Sequence, residues 1–252
     1  MSIIKIIINR ALNLSGYELR KIQKRDAFLE QKELVNNLGA PVIFDVGACI
    51  GEVVSKYRKL FPRASIYPFE PFPDSFRIIQ EKFKDCDLVK PRQIAFSERA
   101  GRASFFVNPD KSCNSLFSPE SNKTKYVFGI EGAITTIDVN LMTIDQFCKN
   151  ESIPEINILK LDVEGAELMV LRGAIEMLSR HLIGIIYTEI MFVPHYKGGA
   201  LFHDLCEFLA DFGYTLFNFY EIKSAANGQL RWGNAIFVSP NIRKNVIDAR
   251  RL

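Results

Sequence analysis

Three carboxylates stand close together near the middle of the chain, at Asp162, Glu164 and Glu167. They follow an apolar run, Ile156 to Leu161, that predicts a buried strand, and Gly165 and a helical pattern come directly after. In open α/β sheets, ligands collect at the carboxyl ends of strands. Carboxylates at such a place can remove a proton from a bound substrate, so this segment is the first candidate for a site.

A glycine-bearing turn after another apolar run, Val42 to Val46, is the second candidate. Gly47 allows the backbone to approach a ligand closely, and Gly51 allows the next helix to begin tight against the turn. Glu70 ends the following strand, where an acid can accept hydrogen bonds from both hydroxyls of a ribose. Each feature alone is compatible with a structural turn or a surface acid, but together they predict a nucleoside site.

The nucleoside is better explained as S-adenosylmethionine than as a dinucleotide. The GxGxxG fingerprint of dinucleotide sites needs glycine at positions 49 and 52, where this chain has Cys49 and Glu52. A glutamate at the mouth of the turn disfavours a pyrophosphate, whereas Asp45 before the turn suits a cationic ligand. S-adenosylmethionine has a ribose, an ammonium and a sulfonium, and it has no phosphate.

Strands and helices alternate from residue 42 onward, and this alternation places the candidate residues at strand ends. The predicted strands are Val42–Val46, Ser65–Phe69, a strand near Gln93–Phe96, Ala103–Val107, Ile156–Leu161, Ile183–Glu189, Tyr214–Tyr220 and Asn234–Val238. The predicted helices are Glu52–Leu60, Asp74–Phe83, Leu141–Lys149, Ala166–Arg180 and Leu201–Phe212. The pattern predicts an α/β fold, with a mostly parallel sheet, helices on both faces and a terminal hairpin that turns at Asn227-Gly228.

We expect one main domain over residues 41–240, because no linker interrupts the alternation. Residues 1–40 are a predicted helical lead-in, with apolar positions at helical spacing from Tyr17 to Leu38. Residues 241–252 are a basic tail that we expect to be solvated. Residues 108–135 are irregular in pattern, and they are interpreted either as a lid over the site or as a surface loop.

The overall composition is that of an ordinary soluble globular protein, with 48% hydrophobic and 24% charged residues. The net charge of +3 gives no reason to expect a nucleic-acid partner. Five cysteines without a CxxC pair predict free thiols in a reducing cytoplasm, so the expected location is cytoplasmic. The apolar segment from Met1 to Ile8 is too short to cross a membrane, and no transmembrane segment is predicted.

The chain resembles the FkbM-type S-adenosylmethionine-dependent methyltransferases over roughly residues 42–238. Four segments in this order carry the resemblance: Phe44 to Gly51, Phe69 to Pro71, Ala95 to Ser97 with Gly101 beyond it, and Leu161 to Ala174. The resemblance implies a Rossmann-like class I methyltransferase fold. In that fold a sheet of seven strands is mostly parallel, and its last strand is antiparallel.

The resemblance also implies which residues bind the cofactor. They are Asp45, Gly47, Cys49 and Gly51 at the methionine end, Glu70 at the ribose, Ala95 and Phe96 at the adenine, and Asp162 beside the sulfonium and at the floor of the acceptor cleft. The family usually has asparagine at position 49. The cysteine there removes a polar group from the turn, which bears on the affinity for the cofactor rather than on its identity.

Methyl transfer to a hydroxyl needs the oxygen about 3–3.5 Å from the methyl carbon, and it needs a base. The candidate catalytic residues are Asp162, Glu164, Glu189 at the end of the next strand, and His195 shortly after it. Each has a plainer interpretation: Glu164 could offset a helix dipole, as we expect of Glu167, and His195 could be a packing histidine. Asp162, Glu164 and Glu189 could also hold magnesium, but the sequence cannot place them together, so no metal ligand is assigned.

The sequence therefore predicts an S-adenosylmethionine-dependent O-methyltransferase. Its expected partner is a small-molecule or glycan acceptor, a hydroxyl of a sugar or secondary metabolite, as the resemblance implies; a homo-oligomer stays open. One alternative is a nicotinamide-dependent oxidoreductase, which Cys49 and Glu52 disfavour. The other is a non-catalytic nucleoside-binding protein of the same fold, which the departure at Cys49 favours.

Overall fold

The computed structural model of the chain describes residues 26–35, 38–108, 114–118 and 135–249. The strands in these residues are β1 (Val42–Val46), β2 (Ser65–Phe69), β3 (Ala95–Phe96), β4 (Gly101–Val107), β5 (Thr135–Met142), β6 (Ile156–Leu161), β7 (Ile183–Met191), β8 (Thr215–Ser224) and β9 (Leu230–Val238). The helices are α1 (Ala27–Leu34), α2 (Glu52–Leu60), α3 (Pro73–Lys82), α4 (Ile144–Glu151), α5 (Glu167–Arg172), α6 (Ile175–Ser179), α7 (Phe202–Ala210) and α8 (Pro240–Ile242), and a π-helix (Arg243–Ile247) follows α8.

Six of these strands form the central sheet, in the order β2-β1-β6-β7-β9-β8. The first four are parallel, and β9 pairs antiparallel with both β7 and β8. Every residue of β6 is buried, as a continuous apolar run predicts for a strand covered on both faces. In β1, Phe44 packs with α4 to α7 and the adjacent Ile43 packs with α1 to α3, so helices cover both faces. The carboxyl ends of four parallel strands meet at one edge of this sheet.

The central sheet has six regular strands instead of the seven that were predicted, and the difference lies beside β2. Residues 88–92 run parallel to β2 and exchange backbone hydrogen bonds with it. The bonds run from Ile66 N to Leu88 O (2.8 Å), from Lys90 N to Ile66 O (2.8 Å) and from Arg92 N to Pro68 O (2.8 Å). Pro68 has no N–H, so the ladder is interrupted and the seventh position holds an irregular segment.

A second sheet of three strands, in the order β3-β5-β4, lies beyond that segment. The strand that the sequence placed near Gln93–Phe96 is only Ala95–Phe96, and it belongs to this second sheet. The prediction of a helix from Leu141 was wrong at its start, because Leu141 and Met142 end β5. The helix begins after Thr143, whose side chain accepts a hydrogen bond from the backbone N–H of Gln146.

The single helix predicted over Ala166–Arg180 is two helices, α5 and α6, which meet at Gly173 and Ala174. A Cβ on Gly173 would lie 2.2 Å from the backbone oxygen of Ser97. The chain therefore bends where the segment after β3 approaches it. The side chain of Asp145 then accepts hydrogen bonds from the first backbone N–H groups of α6.

The ends of the domain differ from the prediction in detail. In the lead-in, α1 begins after Asp26, and residues 1–25, which include Met1 to Ile8, lie outside the described residues. Arg243, in the expected tail, donates a hydrogen bond to Thr215, and the neighbouring π-helix packs on the sheet, so this part of the tail is docked. The hairpin strands β8 and β9 extend farther toward Asn227-Gly228 than their apolar cores predicted.

The prediction of an α/β fold, with a mostly parallel sheet and a C-terminal antiparallel hairpin, is confirmed. Cys49, Cys86, Cys148 and Cys206 are free thiols, and Cys113 lies outside the described residues. Of the helices in the described ranges, none combines the length and apolarity that crossing a membrane requires.

Candidate active site

The turn after β1 brings the backbone against the end of β6. Gly47 has a φ of +76°, and a Cβ there would lie 1.9 Å from the backbone oxygen of Asp162, so only glycine fits. Cys49 also has a positive φ, of +47°. The backbone N–H of Cys49 donates to Oε2 of Glu70 at 2.8 Å, so this residue serves the site through its backbone.

Glu70 is buried at the end of β2 and ties two loops together. Its Oε2 accepts from Cys49 and its Oε1 accepts from the backbone N–H of Phe72 at 2.9 Å. Each carboxylate oxygen has a second lone pair, so two further donors can be accommodated. Burial raises the pKa of Glu70 to about 7, although the two backbone donors oppose the shift.

Lys160 links the glycine turn to the acidic segment, which runs from Asp162 to Glu167. This role was not predicted from the sequence. Its Nζ lies 3.0 Å from Oδ1 of Asp45 and 3.3 Å from Oδ2 of Asp162, and it donates to the backbone oxygen of Gly47 at 3.0 Å. Burial alone would lower the pKa of Lys160, but the two carboxylates outweigh it and hold the pKa above its usual value. The available signal was a lysine inside a fully buried strand in which the only other polar residue is Asn157.

Asp45 has a different position from the one implied for it. Its side chain is fully buried, behind the turn, where it pairs with Lys160. Burial raises the pKa of Asp45, and the ammonium of Lys160 opposes that rise. Asp45 therefore supports the turn from below, whereas the side chain of Asp162 is 44% exposed at the surface of the site.

A cavity that is open to solvent lies between the turn, Glu70 and the end of β6. Six of the predicted cofactor residues line it: Gly47, Cys49, Glu70, Ala95, Phe96 and Asp162. Neither Asp45 nor Gly51 is among the lining residues. Phe105, Asn114 and Leu116 also line the cavity. Asn114 and Leu116 belong to the 108–135 segment, which was interpreted either as a lid or as a surface loop, whereas Phe105 of β4 was not predicted.

Residues 114–118, the described part of the irregular 108–135 segment that faces the site, are bound to the acidic segment. The hydroxyl of Ser115 donates to the backbone oxygen of Glu164 at 2.7 Å, and the backbone N–H of Lys197 donates to the oxygen of Ser118 at 3.0 Å. Ser115 is itself buried. This part of the segment is an ordered wall of the site.

Asp162 and Glu164, in the loop after β6, come together with Glu189 of β7. One carboxylate oxygen from each lies within 4.8 Å of the others. Oε2 of Glu164 accepts a hydrogen bond from the hydroxyl of Tyr196 at 2.6 Å. Burial, with the neighbouring charge of Asp162, raises the pKa of Glu164 to about 8. Burial and the charge of Glu164 raise the pKa of Glu189 well above its ordinary value.

Glu167 and His195 have more local partners. Oε1 of Glu167 accepts from the backbone N–H groups of Val163 (3.0 Å) and Gly165 (3.3 Å), immediately before α5. Nδ1 of His195 lies 2.8 Å from the oxygen of Val193, which can only accept, so Nδ1 carries the hydrogen and Nε2 has the lone pair. Burial lowers the pKa of His195, so its ring is neutral near neutral pH.

Residues 45–216 match the family model described as the methyltransferase FkbM domain. The 2-O-methyltransferase NoeI of Sinorhizobium fredii is 27% identical over 180 residues, which cover 68% of this chain and 72% of NoeI. The hexuronic acid methyltransferase AglP of Haloferax volcanii is 30% identical over 150 residues, covering 59% of this chain and 55% of AglP. The 31-O-demethyl-FK506 methyltransferase FkbM of Streptomyces tacrolimicus is 28% identical over 157 residues, covering 52% of this chain and 58% of that enzyme.

Solved structures are more distant. Fibrillarin of Aeropyrum pernix, solved with natively bound S-adenosyl-L-methionine, has a TM-score of 0.44 at 13% identity and covers 91% of this chain and 73% of its own. A likeness at this level carries no conclusion about activity. The family model, in contrast, matches more than half of the chain and includes the glycine turn, Glu70 and the acidic segment. The resemblance inferred from the sequence is confirmed, and the chain belongs to the FkbM family of methyltransferases.

Proposed function

We propose that this methyltransferase uses S-adenosylmethionine to methylate a hydroxyl of a sugar, a glycan or a secondary metabolite. The observation that carries the proposal is the cavity in which Glu70, the Gly47 turn and Asp162 face one space. Family membership argues against the oxidoreductase alternative.

The residues present fit this cofactor. Glu70 has two lone pairs to accept the ribose hydroxyls, and the apolar side chains of Ile94 and Phe96 offer walls for an adenine. The half-exposed carboxylate of Asp162 suits the cationic end of the ligand. When bound, S-adenosylmethionine supplies an electrophilic methyl group on a positively charged sulfur.

The acceptor side lies where Asp162 borders both the cavity and the carboxylates of Glu164 and Glu189. A neutral hydroxyl is a poor nucleophile, so its proton has to leave as the new bond forms. This cluster of carboxylates can orient the hydroxyl and receive that proton. His195, with its lone pair on Nε2, lies in the loop after β7 and is a further candidate.

The names of the relatives favour a hydroxyl acceptor. NoeI is named as a 2-O-methyltransferase, AglP as a hexuronic acid methyltransferase, and the Streptomyces enzyme as one that acts at a 31-O position. Two of these names specify methylation at oxygen, and one specifies a sugar acid. They support an oxygen acceptor for this chain without selecting one compound.

Calorimetry tests the cofactor. We expect S-adenosylhomocysteine to bind with micromolar affinity and NADH not to bind. Incubation with S-adenosylmethionine labelled in its methyl group, and with sugars and polyhydroxylated metabolites, then tests the acceptor. Failure to bind S-adenosylhomocysteine would refute the proposal.

Mutation of Asp162 tests its place between the cofactor cavity and the carboxylates of Glu164 and Glu189. Asp162→Ala should abolish transfer of the labelled methyl group, because the variant lacks the carboxylate that borders both the cavity and this cluster. Glu176→Gln is a matched control, since Glu176 is an exposed acid on α6 whose side chain pairs with Arg180. If Asp162→Ala keeps the full rate, the carboxylate has only a structural role.

A further inference from the structure

The carboxylates of Asp162, Glu164 and Glu189 are spaced like the ligands of one metal ion. Their ligand oxygens lie within 4.8 Å of one another. Two oxygens bound to the same ion can be at most twice the metal–oxygen distance apart, which is about 4.2 Å for Mg²⁺ and about 5 Å for Ca²⁺.

Glu189 provides an independent indication of a ligand. Its Oε2 is shielded from solvent and has no hydrogen-bond partner among the residues that the structure describes. A buried carboxylate oxygen without a donor is costly, so such an atom calls for a cation or a donor from a ligand. The neighbouring Glu167 differs, because two backbone N–H groups already satisfy its Oε1.

Protein cations near the cluster are already engaged. Lys160 has three hydrogens, and it contacts Asp45, Asp162 and the backbone oxygen of Gly47. Within the described parts of the chain, no ion pair includes Glu164 or Glu189. In their ionised forms, the three carboxylates therefore carry more negative charge than the surrounding described side chains neutralise.

We infer that Asp162, Glu164 and Glu189 bind one divalent cation of the Mg²⁺ type at the acceptor side of the cavity. Three carboxylate oxygens leave half of an octahedral shell open for water and for the acceptor. Two neighbouring hydroxyls of a sugar can occupy two adjacent open positions. A bound cation lowers the pKa of a coordinated hydroxyl and so promotes loss of its proton. This inference deepens the proposed function and rests on it for the identity of the acceptor.

Binding of Mn²⁺ to the full chain tests the site directly. After treatment with EDTA and removal of the chelator, Mn²⁺ is titrated into the protein and the free ion is followed by electron paramagnetic resonance. We expect one Mn²⁺ per chain, which Mg²⁺ displaces in competition. In Glu189→Gln the affinity should fall at least about tenfold, as loss of a metal-site residue does elsewhere. The exposed control Glu176→Gln should bind as the native chain does.

Glu164→Gln provides a second variant in case Glu189→Gln does not fold, and far-ultraviolet circular dichroism checks both. The inference is overturned if the native chain binds no Mn²⁺ at millimolar concentration, or if both folded variants bind it as tightly as the native chain. Calorimetry with S-adenosylhomocysteine in EDTA separates the two proposals. Cofactor binding without Mn²⁺ binding would refute the cation site alone, whereas Mn²⁺ binding without cofactor binding would refute the proposed function.

Discussion

Lys160 lies between the carboxylates of Asp45 on β1 and Asp162 after β6, so one ammonium links the glycine turn to the acidic segment. It is buried in β6, and its Nζ lies within 3.3 Å of Asp45, Asp162 and the backbone oxygen of Gly47. A sequence pattern could not assign this role, because the backbone oxygen that Lys160 contacts belongs to Gly47, 113 positions earlier. The position of Asp162 at a strand end was predictable, because this residue follows an apolar run that ends at a turn.

Lys160→Met should destabilise the fold by about 3–5 kcal/mol, since it leaves the buried Asp45 without its cation. The free energy of unfolding is measured by urea denaturation. In the double variant Lys160→Met/Asp45→Asn part of this loss should return, because the unpaired charge is also removed. Equal stability of Lys160→Met and the native chain would mean that the ion pair contributes nothing.

The pKa of Glu70, raised to about 7, predicts how cofactor affinity depends on pH. Below pH 7 the free protein holds Glu70 mostly protonated, whereas ribose hydroxyls donate to the ionised form. Affinity for S-adenosylhomocysteine should therefore be full near pH 8.5 and fall by up to about tenfold per pH unit below 7. Calorimetry at pH 6, 7 and 8.5 measures it.

Glu70→Gln is the control for that pH dependence. The variant should bind S-adenosylhomocysteine about 1–3 kcal/mol more weakly at pH 8.5, because an amide cannot accept from every donor that the carboxylate serves. Its affinity should also change less between pH 6 and 8.5, and the pH dependence that remains is due to the other acids of the site. If the affinity of the variant depends on pH as steeply as that of the native chain, Glu70 is not the group whose titration controls binding.

At the scale of elements, apolar runs predicted most strands well, and the errors occur where another segment intervenes. β1, β2 and β6 have the predicted bounds. The break at Gly173 in the helix after the acidic segment could not be predicted. It results from the close approach of the backbone oxygen of Ser97, which only the folded chain brings next to Gly173. The strand beside β2 was misplaced for a similar reason, since its pairing is non-local and Pro68 interrupts it.

Gly173→Ala tests the close approach that separates α5 from α6. Since the added Cβ would meet a backbone oxygen at 2.2 Å, one of the two segments has to move, and we expect a loss of about 1–3 kcal/mol in unfolding free energy. Gly39→Ala is the matched control, because its Cβ would meet only the end of the Arg63 side chain at 3.8 Å. Equal denaturation midpoints for the two variants would contradict the contact.

At the scale of the whole molecule, the site is built where two sheets meet. The central sheet supplies the turn, Glu70 and the acidic segment, and the second sheet with residues 114–118 supplies the opposite wall. The first part was predictable because each of its motifs is local. The second was not, because residues 108–135 have no periodic pattern and their described part acquires order through long-range contacts such as that of Ser115 with Glu164.

Ser115→Ala tests whether that wall supports the chemistry. Its hydroxyl donates to the backbone oxygen of Glu164 and accepts from the backbone N–H of Phe117, so the variant loosens residues 114–118 and frees the acidic segment. We expect kcat for methyl transfer to fall about tenfold or more, since misplacement by about 1 Å is enough for such a loss. Affinity for S-adenosylhomocysteine should change less, because Glu70 and the Gly47 turn make no contact with this hydroxyl.

Ser179→Ala is the matched control, as the hydroxyl of Ser179 donates only to Ile175 within its own helix. Equal kcat values for the two serine variants would show that the second sheet covers the site without positioning it.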